Sequence, residues 1–235
     1  MDATVTRDLA QDRAARRKPD WKRARAAARI LRDDPNRTEM AFEVIQALNP
    51  DGNERGFARM MTVPAGRRLY ERRPDLMAAL QDRAALEATP EGSFGRAFLA
   101  HIDRWSLSPT KLVELGRQAR GGRVPQDGPA WFGERNILIH DLRHVLTGYA
   151  ADPRGETLLL WFSHGLSGGR SNRLLMVSSL QARLRSEGPG YVLECLRAWF
   201  RGRRARGLDL LPFEDLLALP LAEVRRMARV TPEAA

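Results

Sequence analysis

Cysteine is nearly absent from this chain: Cys195 is the single one in 235 residues. It cannot close an internal disulfide, which removes the stapled small-domain class and fits a reducing compartment. Set in an apolar stretch, it reads as a small core residue rather than a nucleophile. Long apolar runs are missing too. No stretch of eighteen apolar residues occurs, so no bilayer-spanning helix is expected. Residues 1–20 are polar and charged and lack the apolar core of a secretory signal. Period-two alternation is scarce, which counts against strands. Zinc-finger spacing, an aromatic RNA-binding motif and helix-turn-helix spacing are all wanting. The Gly-rich stretch His164 to Gly169 is not followed by Lys-Ser/Thr at the spacing of a phosphate-binding loop.

What the chain has in excess is arginine. The net charge is +10, in a chain with ordinary hydrophobic (43%) and charged (29%) content. That balance calls for a polyanionic partner, either nucleic acid or an anionic membrane surface. The length suffices for one domain with a real core. Breaks every ten to twenty residues, at Asn49-Pro50-Asp51-Gly52-Asn53, Val63-Pro64-Ala65-Gly66, Arg73-Pro74, Thr89-Pro90, Gly121 to Pro129 and Gly188-Pro189-Gly190, separate segments of helical periodicity. The expectation is an all-α protein: a flexible basic N-terminus over residues 1–19, then one multi-helix domain over 20–235. Trp21, Ala24, Ala28 and Leu31 share a narrow stripe on a basic helix. That stripe can lie on anionic lipid or dock on the domain. Asp75 caps a helix running to about Leu86, and Pro220 opens the last helix. The run Leu158 to Phe162 is buried core or the lining of a pocket. The cluster Arg201 to Arg206 is a solvated helix end or a phosphate contact.

The chemistry-bearing stretch is His140-Asp141-Leu142-Arg143-His144, with Glu156 after eleven further residues. On a helix, His140 and His144 are i and i+4, so their rings leave one face about 6 Å apart. Asp141 lies beside that face. Asp152-Pro153-Arg154-Gly155 reads as a turn, after which a returning helix brings Glu156 back to the imidazoles. Two imidazoles and two carboxylates suit a divalent ion: zinc first, with manganese, iron, cobalt or magnesium as alternatives. A His-x-x-x-His pair can equally be a polar helix edge. The flanks Ile137 to Ile139 and Val145-Leu146 are apolar, however, and buried ionisable groups need partners. The zincin pattern is excluded because Asp141 stands where its Glu base belongs. A His-Asp metal phosphohydrolase needs a further upstream His and a downstream Asp, for which His101 and Asp209 are available.

Other segments extend the pattern. Arg73-Pro74 with Leu76, and Thr89-Pro90-Glu91-Gly92-Ser93-Phe94-Gly95 with Phe98, precede the motif. Ala198-Trp199-x-Arg201-Gly202-Arg203 and Leu216 to Met227 follow it. Together with His140-Asp141-x-x-His144-x(11)-Glu156 these resemble the Coq-four family of ubiquinone-biosynthesis proteins over roughly residues 40 to 230. The resemblance implies that His140, Asp141, His144 and Glu156 ligate the metal. It implies a metal-dependent step on a polyprenylated aromatic ring acid, with oxidative loss of the ring carboxylate and hydroxylation at that carbon. The isoprenoid tail needs an apolar lipid groove between helices. The alternative it carries is a non-catalytic scaffold that holds a polyprenyl lipid and organises the other ubiquinone-biosynthesis enzymes. The implied partners are the quinone precursor, those enzymes, a second copy as a homodimer, and an anionic membrane surface in preference to nucleic acid. The implied place is the cytoplasmic face of the inner membrane, or the matrix face in a mitochondrion.

Overall fold

The computed structural model describes residues 17–119 and 127–233. Among these there is no strand, only an isolated bridge between Ser93 and Pro220. The expected flexible segment 1–19 lies outside the described residues up to residue 16, as do residues 121–126 of the expected Gly/Pro loop. Arg17, the first described residue, donates to Asp51 at 3.0 Å.

The helices are α1 (Trp21–Asp33), α2 (Glu39–Leu48), α3 (Gly52–Met61), α4 (Pro64–Arg72), α5 (Leu76–Gln81), α6 (Arg83–Ala88) and α7 (Phe94–Trp105). They continue as α8 (Lys111–Ala119), α9 (Gly128–Thr147), α10 (Pro153–Ser167), α11 (Arg170–Glu187), α12 (Gly190–Arg204), α13 (Phe213–Leu216) and α14 (Leu221–Ala228). Local signals set many of the starts. The side chains of Asp20, Asp75, Ser93, Asp127 and Asp152 each accept a hydrogen bond from a first-turn amide, which satisfies one of the orphan donors there. Pro64, Pro129 and Pro153 sit in the first turn, where a missing N–H costs nothing.

Two elements differ from expectation. The helix after Asp75 does not run through to Leu86. Asp82 turns its carboxylate onto the Ala85 amide and starts a second helix, so a side-chain cap wins over propagation. The Gly-rich loop after residue 164 shrinks to Gly168-Gly169, both at positive φ, because α10 continues through Ser167. Arg201 to Arg204 form the last turn of α12, in keeping with the helix end expected there.

The main core lies between α7, α9, α10, α12 and the C-terminal pieces, with Phe94, Phe98, Leu142, Leu146, Phe162 and Phe213 fully buried. Cys195 is in it, as expected of a core residue, and burial followed by the neighbouring Glu194 charge pushes its thiol up to about 12. In a second cluster Ala24, Ala27 and Ala28 of α1 meet Val44, Ala47 and Leu48 of α2 and Leu175 of α11. The stripe on α1 therefore docks on the protein, while Trp21 stays 39% exposed. α9 is buried on most of its circumference, so it carries no clean amphipathic stripe. Its buried charges are paired: Arg135 with Glu214 and the Leu211 carbonyl, Glu134 with Arg117.

The most extensive helix contact joins α10 and α12. Gly165 and Gly202 let the two backbones touch: a Cβ on Gly202 would stand 2.0 Å from the Phe162 carbonyl oxygen, and one on Gly165 would stand 2.1 Å from that of Trp199. Backbone cannot yield there as a flexible side chain could. Gly202→Ala is accordingly expected to destabilise the fold by about 1–3 kcal/mol or more, read as a lower denaturant midpoint at unchanged slope.

Candidate metal centre

The site is built where α9 ends and α10 begins. Gly148, at φ +79°, terminates α9 in the left-handed region that a residue with Cβ avoids. The chain turns over residues 148–152, and the Asp152 cap starts α10 with Glu156 in its first turn. The return brings Glu156 to the two imidazoles. Its Oε1 is 3.2 Å from Nε2 of His144, and its Oε2 is 3.5 Å from Nε2 of His140. Ligand atoms of His140, His144 and Glu156 all lie within 4.8 Å of one another.

The far nitrogens explain why both Nε2 atoms point inward. Nδ1 of His144 lies 3.0 Å from the Tyr149 carbonyl. A carbonyl only accepts, so this Nδ1 carries the proton and the Nε2 lone pair is free to ligate. Nδ1 of His140 lies 3.0 Å from Oδ1 of Asp141. Asp141, the fourth ligand implied by the family resemblance, thus stands behind His140 rather than in the group of ligand atoms. A carboxylate in that position orients a ligating imidazole and raises its basicity.

Two observations fit these residues to a divalent ion. Nε2 of His144 is fully buried and, despite its distance to Glu156, has no partner at hydrogen-bonding geometry among the described residues. Two imidazoles and one carboxylate also match a three-ligand zinc set that leaves a coordination position open. Without an ion, a proton on His140 balances the carboxylates. Burial pushes the His140 imidazolium down, but Glu156 and Asp141 outweigh that and raise it to about 10. Burial pushes the Glu156 carboxyl up, but His144 and His140 outweigh that and hold it well below the usual range.

His101 also reaches the site. Its ring stacks on that of His144, centroids 5.4 Å apart and planes at 20°, and its buried Nε2 has no hydrogen-bond partner among the described residues. Burial and then the His144 charge push it down to about 4, so it is neutral at ordinary pH. It shares a face of α7 with Phe98 and Ile102, a spacing legible in the sequence. Asp209 is not brought in; its carboxylate accepts from Arg143 at 2.8 Å. The four-residue arrangement of a His-Asp phosphohydrolase is therefore not assembled.

The group opens on a cleft of about 1580 Å³. Leu107, Leu112, Leu115, Ile137 and Leu160 contribute apolar wall beside His140, Asp141 and Glu156. The run Leu158 to Phe162 is split between the two expected roles: Leu158, Leu159, Trp161 and Phe162 are buried, and Leu160 lines the cleft.

Residues 24–233 match the family described as coenzyme Q (ubiquinone) biosynthesis protein Coq4. The mouse mitochondrial ubiquinone biosynthesis protein COQ4 homolog is 26% identical over 176 residues, 74% of this chain and 64% of the mouse protein. The bovine homolog is 27% identical over 175 residues, 74% of this chain and 63% of its own length. The chain thus spans less than two thirds of these relatives. A crystal structure from Nostoc punctiforme PCC 73102, provisionally named a ubiquinone biosynthesis protein, superposes with a TM-score of 0.62 at 16% identity, over 90% of this chain and 98% of the other. At that identity the likeness shows a shared fold.

Two outcomes test the centre. His144→Ala is expected to lose bound metal yet keep its helical circular dichroism, and Asp141→Asn to weaken affinity roughly 10–100-fold, both read by metal analysis after dialysis against a weak chelator. The pH response should carry opposite signs with and without metal. In chelator-stripped protein the raised His140 contributes stability that is complete below its unfolded pKa near 6.5 and is lost as pH rises towards about 10. Metal binding needs the imidazoles deprotonated, so the rise in melting temperature on adding zinc should grow from pH 6 to pH 9. A zinc effect that shrinks over that range would sink the assignment.

Proposed function

The chain belongs to the coenzyme Q (ubiquinone) biosynthesis protein Coq4 family, and from that premise we propose that it acts in ubiquinone formation on a polyprenylated aromatic ring acid. The head of that ligand sits at His140, His144 and Glu156, and its tail lies along the cleft. The observation that carries this is position: a three-ligand set beside an apolar wall in one continuous cleft. That cleft exceeds the roughly 300–1,000 Å³ of small-ligand pockets, as a long isoprenoid requires.

The reaction is oxidative decarboxylation with dioxygen as co-reactant. The ring carbon loses its bond to the carboxyl carbon, which leaves as carbon dioxide. It gains a bond to oxygen supplied in net by water; two electrons pass to dioxygen with two protons, from the carboxyl group and the water, and leave as hydrogen peroxide. A divalent ion held by His140, His144 and Glu156 supplies Lewis-acid polarisation of a ring oxygen. The protein residues do the positioning. Asp141 and the Tyr149 carbonyl hold the two imidazoles with their lone pairs towards the ligand. His101, neutral and stacked on His144, adds bulk without charge on the far side. Leu107, Leu112, Ile137 and Leu160 take the isoprenoid and keep water from the ring.

The cleft supports a second reading, a scaffold that presents the lipid to other enzymes and catalyses nothing. Lipid extracts of a deletion strain separate the two. Catalysis predicts loss of ubiquinone and accumulation of a prenylated ring acid, restored by the wild-type chain but not by His144→Ala. Restoration by both leaves the scaffold, and an unchanged quinone pool removes both.

A further inference from the structure

The cleft carries far more cation than its metal centre needs. Lys18, Arg59, Lys111, Arg170, Arg173 and Arg183 all line it, and none makes an ion pair among the described residues. Elsewhere on the cleft the basic side chains are satisfied: Arg17 by Asp51 and Glu54, Arg23 by Glu43, Arg143 by Asp209. The acids of the lining are also committed. Asp20 caps α1, Glu54 holds Arg17, and Asp141 and Glu156 belong to the metal centre. Among the described residues of the lining, no carboxylate is left to neutralise the six. Five of them, all but Arg183, are exposed. Arg170 and Arg173 stand in the first turn of α11, whose Gly169 cap has no side chain and whose first turn has no acid, so the helix end adds its own positive partial charge. Ile45, 40% exposed, adds an apolar side chain to the same lining.

We infer that this cationic rim is a docking surface for an anionic lipid bilayer, which sets the mouth of the cleft against the membrane. This rests on the proposal that the ligand is a polyprenyl lipid, and it adds the face through which that lipid enters. Charge complementarity selects the occupant: unpaired cations around an apolar-walled opening match phosphate headgroups above acyl chains. A second copy of the chain would bring like charge to like. The competing face is the exposed apolar stripe Leu193, Leu196 and Phe200 of α12, with Arg197 beside it. None of those residues lines the cleft, so docking there would give a lipid no way in.

Flotation of the full chain with phosphatidylcholine vesicles, with and without phosphatidylglycerol, at low and high salt tests this. The wild type should float only with phosphatidylglycerol, and less at high salt. Arg170→Glu/Arg173→Glu should cut partitioning at least tenfold, since each cation near an anionic surface contributes roughly fivefold. Acids suit a helix N-terminus, so this variant should melt no lower than wild type. Leu193→Ser/Phe200→Ser on α12 should float as wild type does. If wild type floats and the Arg170/Arg173 variant floats equally, the rim assignment is overturned while membrane attachment stands. Loss of flotation only in the α12 variant overturns it in favour of that face. If wild type floats with neither vesicle, attachment itself fails. A short DNA duplex that abolishes flotation and binds more tightly than vesicles would make the rim a nucleic-acid site, and so overturn the inference.

Discussion

The turn over residues 148–152 is the constraint on which the site depends. His144 donates from Nδ1 to the carbonyl of Tyr149, inside that turn, and the same turn delivers Glu156 to the opposite nitrogen of the same ring. The turn is held from outside. Arg225 of α14 donates to the carbonyls of Val145 and Leu146, the backbone amide of Glu233 donates to the carbonyl of Thr147, and Arg201 donates to the Tyr149 hydroxyl. Residues far along the chain thus finish the end of α9, where the last carbonyls have no helical partner. The C-terminal helix is part of the site's support although it supplies no ligand.

Behind the turn, the geometry is stiffened by close backbone approach rather than by long side chains. α10, which carries Glu156, is pressed on α12 at Gly165 and Gly202, and α12 carries Arg201 back to Tyr149. α9, which carries both imidazoles, is fixed by buried ion pairs at Glu134 and Arg135. Such pairs add little net stability, but they punish any shift that would leave one charge alone. The helices bearing the three ligand residues are therefore each anchored independently of any bound ion. That is what a ligand set needs if it is to be ready before the metal arrives.

The cleft divides the remaining labour. Its lining holds candidate ligand residues and apolar side chains, together with cations that make no ion pair among the described residues. No helix among the described residues is long and apolar enough to cross a membrane. On the proposed function, a polyprenylated ligand enters from the bilayer surface through the mouth of the cleft. An apolar cleft with a charged mouth is a physical solution to that problem, since attraction to headgroups and burial of the tail act at the same opening.

Periodicity and breaks determined much by themselves. The all-α class, most helix starts and the pairing of His140 with His144 on one face follow from 3.6-residue spacing and capping chemistry. These are local properties, and tertiary contacts had no reason to override them. Glu156 was legible because a turn and a short return leave it few places to go. Three matters were settled only in three dimensions. Asp141 lies beside the ligand face in sequence, yet its carboxylate turns to the back of His140, because the inward position is already taken by Glu156. His101 lies far from the motif in the chain and joins it only because α7 packs on α9. The cationic rim draws Lys18, Arg59, Lys111, Arg170 and Arg173 from three helices and one preceding segment. Spacing specifies what neighbours do along one helix. Which helices meet, and which charges the meeting leaves without partners, is decided by packing.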